Sequence, residues 1–278
     1  MKKIFLKRPY TIILSFLTVI AVILRIGQLA QNIEKESGFY INPSSFGRIL
    51  SIVIMVLIFI LGFVWLYIIK KHALLPFNLK FNFAPLLSER VVLAIVAVGF
   101  AANTFYEIFR LANPLPSLLL PQNTSIFALI TTILSALSLI YFITISFLID
   151  NVAIAGSLFS IVPVVWVVFR LLRDFISFTT VVYISKNLLD IIFLSALLIT
   201  MFSFSRMLSD IDTPKGIKVF TVTAPITVCL GAVLSIPAIV GFIFGFECVG
   251  ESDMFMHFVD LALSIFIFRA GMHIYKEN

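Results

Sequence analysis

Residues 125–149, SIFALITTILSALSLIYFITISFLI, run for 25 positions without a charged side chain. A helix needs about 20 mainly apolar residues to cross the hydrocarbon core of a bilayer. No water reaches the backbone inside that core, so a spanning segment satisfies its own polar groups by forming a helix. This stretch is therefore predicted to be a membrane-spanning helix.

Seven further segments of the 278-residue chain have the same character. The eight predicted spans are 9–28, 47–69, 90–112, 125–149, 154–174, 187–206, 218–244 and 254–275. Because they leave too little chain for a soluble domain of about 50 residues or more, residues 1–278 are expected to form a single transmembrane domain. The expected fold class is all-α: a polytopic integral membrane protein built from helical hairpins.

Composition excludes several other classes of protein. Apolar residues make up 61% of the chain and charged residues 12%, whereas soluble domains are about 45–50% apolar and about 25% charged. Two cysteines cannot build a disulfide framework. The net charge of +6 is dispersed along the chain. We therefore expect the lipid bilayer as a partner and no nucleic acid.

Basic residues in short loops set the orientation of the spans, because cytoplasmic loops are enriched in them. The predicted cytoplasmic segments carry Lys2, Lys3, Lys7, Arg8, Lys70, Lys71, Lys80, Arg206, Lys215, Lys218 and Lys276. The loop after span 7 carries three acidic residues and no basic one. Both termini are therefore predicted to be cytoplasmic, with the first span retained rather than cleaved as a signal peptide. The 30 phenylalanines and many isoleucines suit an A+T-rich bacterial genome, so we expect a bacterial plasma membrane.

Ionisable residues form a layer near the predicted outer ends of the spans. Its members are Arg25, Arg48, Glu107, Arg110, Arg170, Arg173, Asp174, Asp190, His257 and Asp260. An ionisable side chain inside a membrane is costly unless it is paired or reaches water, so such residues mark candidate functional sites.

Helical spacing groups most of this layer onto shared faces. The candidate ligand-binding residues are Arg110, Arg170, Arg173, Glu107, Asp174, Asp190, His257 and Asp260. An arginine presents a fork of donors to a carboxylate or phosphate and stays charged when desolvated. We expect Glu107 and Asp174 to be the resting partners of Arg110 and Arg170. Two interpretations remain open: salt bridges that lock the bundle, and a vestibule that faces a ligand.

Span 7 differs from the other spans by its proline and glycine content. It contains Pro225, Gly231, Pro237 and Gly241. Proline removes a backbone hydrogen bond and kinks a helix, whereas glycine permits close helix packing. A broken, mobile helix and a closely packed helix are both compatible with this pattern.

Enzymatic and metal chemistry have little support in the sequence. Glu247, Cys248, His257 and Asp260 have the right chemistry for metal ligands, but their spacing matches no known metal motif. No nucleophile, metalloprotease or phosphate-binding motif is present. We therefore expect no metal and no cofactor, and an enzyme is the less favoured class.

The leading functional hypothesis is the binding or transport of a small anionic or zwitterionic solute through an outward-facing charged vestibule. The alternative is a non-transporting sensor or a subunit that recruits a membrane protein partner. A third class is a membrane enzyme that acts on lipid.

The orientation is testable with reporter fusions. Fusions after Ser209 and after Asn278 should report the cytoplasm, and a fusion after Ser252 should report the outside, because basic residues mark the cytoplasmic loops. A reporter at Asn278 that faces the outside contradicts the model of eight spans.

Overall fold

The structure of the chain, a computed structural model, describes residues 2–31, 33, 49–56, 58–60, 62–63, 87–112, 122–147, 159–178, 185–245 and 254–277. Within these ranges the secondary structure is helical, with no strand. The helices are α1 (Lys2–Gln31), α2 (Ile49–Ile60), α3 (Leu87–Ala112), α4 (Gln122–Phe147), α5 (Ile161–Phe178), α6 (Ser185–Leu208), α7 (Thr213–Phe244) and α8 (Met254–Glu277). The all-α prediction is confirmed, and the helix count fits the eight predicted spans.

Five of these helices are long and apolar enough to cross a membrane: α3, α4, α6, α7 and α8. They fit an integral membrane protein. Large apolar side chains also lie on the outer surface of the helices, among them Phe105 and Phe147, which are 74% and 76% exposed. Exposure of such apolar side chains is unfavourable in water, whereas lipid chains solvate them.

Helix boundaries differ from the predicted spans at several ends. Helix α1 begins at Lys2 rather than at residue 9 and includes Pro9. Helix α5 extends to Phe178, four residues beyond the predicted end. Helix α7 begins at Thr213, with Pro214 in its first turn, where the missing N–H of proline costs nothing.

A tight turn joins α6 to α7. Asp210 and Asp212 adopt left-handed backbone conformations with φ of 53° and 51°, which Asp tolerates better than most residues. Arg206 and Lys215 each pair with Asp212, at 2.9 and 3.0 Å. The hydrogen bond from Lys215 is the main cause that holds the pKa of the Asp212 carboxyl below its ordinary value. These two ion pairs with Asp212 are exposed to solvent.

Helix α8 occupies a central position in the bundle. It packs against α3 and α7, and its Phe266 contacts Phe142 of α4 and Phe204 of α6, with ring centroids 5.9 and 5.3 Å apart. Phe100 of α3 joins the same aromatic core by stacking on Phe142. A polar residue on the inner face of α8 is therefore surrounded by other helices.

Helix α7 is continuous through both of its prolines, so span 7 is not divided into two helices, and a kink at the prolines stays a prediction. The close-packing interpretation is supported at Gly231. A Cβ placed there would overlap Ser264 Oγ of α8 and lie 3.0 Å from Phe193 Cε2 of α6. Phe220 of α7 packs near Gly271 of α8, and Gly231 of α7 packs near Ser264 of α8. Helices α7 and α8 therefore run in opposite directions.

Residues 62–63, just after α2, pack against the bundle through a small residue. A Cβ at Gly62 would lie 3.1 Å from Ile226 Cδ1 of α7, and Gln28 of α1 donates a hydrogen bond to Ser51 of α2 at 2.7 Å. The same helix borders a cavity of about 170 Å³, lined by Met55, Ile58, Phe59, Gly62, Phe63, Ile192 and Ile226.

The packing at Gly231 is testable by substitution with alanine. We expect Gly231→Ala to lower the free energy of unfolding by about 1–3 kcal/mol, because the added methyl overpacks a closed helix contact. The matched control is Gly27→Ala, where a Cβ meets nothing within 4 Å; here alanine should be neutral or add up to about 1 kcal/mol. The measurement is unfolding in detergent. Equal stability of the two variants contradicts this account of the α7–α8 contact.

Candidate functional site

The polar side chains of three helices meet at one end of the bundle. Close packing brings the C-terminal half of α3 beside the N-terminal half of α8: a Cβ at Gly99 would lie 3.2 Å from Phe258, and Tyr106 lies 5.2 Å from Phe255 between ring centroids. Helix α5 presents its charged face to the same region. We call Glu107, Arg170, Arg173, Asp174 and Asp260 the charged cluster.

The deepest contact of the charged cluster joins Arg170 of α5 to Asp260 of α8. Arg170 Nη2 donates to Asp260 Oδ2 at 2.7 Å, and Nη1 donates to Oδ1. Arg170 is 5% exposed and Asp260 is 2% exposed. This is a bidentate pair, the geometry in which a guanidinium and a carboxylate bind most strongly.

A second ion pair links α5 to α3. Arg173 Nη1 lies 3.1 Å from Glu107 Oε1 and donates to Thr131 Oγ1 of α4 at 3.5 Å. Glu107 is almost completely buried. Helices α3, α4, α5 and α8 are therefore connected through two arginines that lie on one face of α5.

Asp174 lies within ion-pair distance of both arginines. Its carboxylate is 3.4 Å from Arg173 Nε and 3.9 Å from Arg170 Nε. The first distance is at the outer limit of a hydrogen bond and the second is beyond it.

Exposure changes steadily across the charged cluster. The side chains of Asp174 and Arg173 are 18% and 14% exposed, whereas those of Glu107 and Asp260 are 4% and 2% exposed. The charged cluster is accordingly open at its Arg173–Asp174 edge and closed at Asp260.

Neutral polar groups extend this region further along α3 and α4. Thr104 donates to Ser135 at 2.9 Å, and Asn103 donates to the same hydroxyl at 3.4 Å. All three side chains are buried. Buried polar groups in a membrane bundle are costly unless they pair, and here they pair with each other across the α3–α4 contact.

An aromatic ring supports the central guanidinium. Arg170 Cζ lies 5.5 Å from the centroid of Trp166, one helical turn earlier on α5. Trp166 in turn packs edge-on against Phe100 at 4.8 Å. A cation over an aromatic face is stabilised by the ring quadrupole, more strongly when water is excluded.

The structure unites five of the eight predicted ligand-binding residues: Glu107, Arg170, Arg173, Asp174 and Asp260. Asp190 is buried on α6 and lies close enough to interact electrostatically with Arg170. His257 is buried one turn before Asp260 on α8, and Arg110 is half-buried in the last turn of α3.

The predicted pairing is found in part: Asp174 lies within ion-pair distance of Arg170, and the pairing of Glu107 with Arg110 stays a prediction. Both Nη groups of Arg170 bind Asp260 rather than Asp174, and Glu107 pairs with Arg173 as well as standing one turn from Arg110.

Other predicted residues lie apart from the charged cluster or outside the described ranges. Arg25 is buried in α1 and donates to Gln28 at 2.6 Å. Arg48, Glu247 and Cys248 fall outside the residues that the structure describes. In the described ranges, no group of three His, Cys, Asp or Glu side chains is arranged to hold a metal ion.

Sequence reasoning missed Thr131 and Trp166. The position of Trp166, four residues before Arg170, places it on the same helix face and is a signal that the sequence contains. Thr131 carries no such signal, because its role depends on α4 being the neighbour of α5.

Comparisons with protein-family models, with curated proteins and with solved structures found no match.

Proposed function

We propose that this integral membrane protein binds or transports a small zwitterionic solute through the charged cluster. The observation that carries the proposal is the buried network of both charge signs, Arg170–Asp260 and Arg173–Glu107, inside a bundle of apolar helices. Ionisable groups are expensive within a membrane, and those that persist there commonly line substrate or ion pathways.

The charge balance favours a zwitterion over a simple anion. The charged cluster contains three carboxylates, Glu107, Asp174 and Asp260, and two guanidiniums. An anion would add a further negative charge to this set, whereas a zwitterion brings its own ammonium. The solute carboxylate then binds beside the arginines, and the ammonium pairs with a carboxylate of the protein.

The graded exposure supports a route of entry at the Arg173–Asp174 edge. Under the proposed orientation, with both termini in the cytoplasm, this edge faces outward and the α6–α7 turn faces the cytoplasm. The location that accords with this orientation is a bacterial plasma membrane.

A second candidate function is a non-transporting subunit that recruits a membrane partner. It is favoured by the bidentate geometry of Arg170 and Asp260, which suits a fixed scaffold as well as a binding site. The two functions differ in whether the charged cluster responds to a solute.

The test is ligand-induced stabilisation of the purified protein in detergent. The probes are the twenty proteinogenic amino acids as zwitterions, with acetate, succinate and inorganic phosphate as anions. We expect at least one amino acid to raise the unfolding temperature, since a ligand at 100 times its Kd adds about 2.7 kcal/mol to stability. We expect Arg173→Gln to abolish this increase, because Arg173 lies at the open edge of the charged cluster.

The matched control is Arg206→Gln, which removes an arginine paired with an aspartate at 2.9 Å outside the charged cluster. This variant should keep the full response to the amino acid. If no amino acid stabilises the wild-type protein, or if Arg173→Gln responds like wild type, the proposed function is wrong.

A further inference from the structure

The cavity of about 170 Å³ beside α2 has an apolar lining. Its lining residues in the described part of the chain are isoleucines, phenylalanines, a methionine and a glycine, contributed by α2, residues 62–63, α6 and α7. A buried water molecule needs two to four polar partners, and apolar cavities of this size stay dry. The lining side chains offer water no such partner, so the occupant that suits this cavity is apolar.

The cavity lies at the depth of the hydrocarbon core. Ile192 and Ile226 line it from α6 and α7, which are both long and apolar enough to cross a membrane. Ile226 stands near the middle of the 32 residues of α7. At this depth the solvent around the helices consists of the acyl chains of lipids.

The cavity is continuous with the lipid-facing surface of the bundle. Ile58 and Gly62 are buried and form its floor, whereas Phe59 and Phe63 line it and are 62% and 70% exposed. The two phenylalanines therefore stand at its mouth, where lipid chains reach it. A void with no atoms in it deprives its lining of van der Waals contacts, so a chain that enters restores them.

We propose that this cavity binds one acyl chain of a membrane phospholipid, which enters past Phe59 and Phe63 and fills the space between α2, α6 and α7. An apolar cavity of about 150 Å³ holds a benzene molecule, so this cavity accommodates a chain segment of about six carbons. Phospholipids supply the acyl chains that surround spanning helices, which favours them over a free fatty acid. The bound chain contacts three helices at once and stabilises the attachment of α2 to the bundle.

The test is lipid binding to a variant in which a larger side chain fills the cavity. Wild type and Ile192→Phe are purified in a steroid-based detergent, so that no linear alkyl chain competes, and are titrated with dioleoyl phosphatidylethanolamine under native mass spectrometry. We expect wild type to bind one phospholipid and Ile192→Phe to bind it about tenfold more weakly, because the ring occupies the space of the chain.

The matched control is Ile199→Phe. Ile199 stands two turns after Ile192 on the same face of α6 and is exposed, but it does not line the cavity. This variant should bind the phospholipid as wild type does.

Thermal unfolding gives a second readout that does not depend on the filling variant. Ile192→Ala enlarges the cavity, so it should unfold at a lower temperature than wild type without lipid. Addition of the phospholipid should raise its unfolding temperature by more than that of wild type, because the chain then replaces the missing side-chain contacts. Equal responses of the two proteins contradict the proposal.

Three further outcomes overturn the proposal. The first is a wild type that binds no phospholipid, and the second is an Ile192→Phe variant that binds it as tightly as wild type. The third is stabilisation of wild type by palmitate but not by the phospholipid, which would identify the occupant as a free fatty acid. None of these outcomes bears on the response to amino acids, so the proposed function is tested separately.

Discussion

The bidentate pair between Arg170 and Asp260 is the interaction on which the arrangement of this site depends. Taking two charges out of water carries a large desolvation penalty, which is repaid only by good geometry and further hydrogen bonds. Here Trp166 lies under the guanidinium, and α8 holds the carboxylate at the centre of the bundle. Once Arg170 is fixed, its neighbour Arg173 on the same face of α5 reaches Glu107 and Thr131, and four helices are tied together.

Packing at small residues gives this pair its geometry. The contact of Gly231 with Ser264 brings α7 against α8 one turn from Asp260, and Gly99 does the same between α3 and α8. Inside a bilayer there is no hydrophobic drive between helices, so association depends on close packing and on polar contacts. The glycine contacts hold α3 and α7 against α8, and α3 and α8 carry Glu107 and Asp260, the carboxylates that the arginines of α5 meet.

Much of the fold follows from the sequence, because a spanning helix is a property of its own twenty or so residues. The number of helices and the charged face of α5 are set locally, by hydropathy and by the spacing of Arg170, Arg173 and Asp174. The partners are not set locally: Arg170 and Asp260 are 90 residues apart, and only the adjacency of α5 and α8 joins them. The same limit applies to Glu107 and Arg173, which are 66 residues apart in the sequence and meet only in the folded bundle.

The most direct test of this account is a double-mutant cycle on the central pair. Free energies of unfolding in detergent are measured for wild type, Arg170→Gln, Asp260→Asn and the double variant, with a control cycle on Arg206→Gln and Asp212→Asn. Residues in one buried ion pair couple by about 2–3 kcal/mol, whereas the exposed pair at the α6–α7 turn should couple by less than about 1 kcal/mol. A coupling energy for Arg170 and Asp260 no larger than that of the exposed pair would contradict the claim that this interaction organises the bundle.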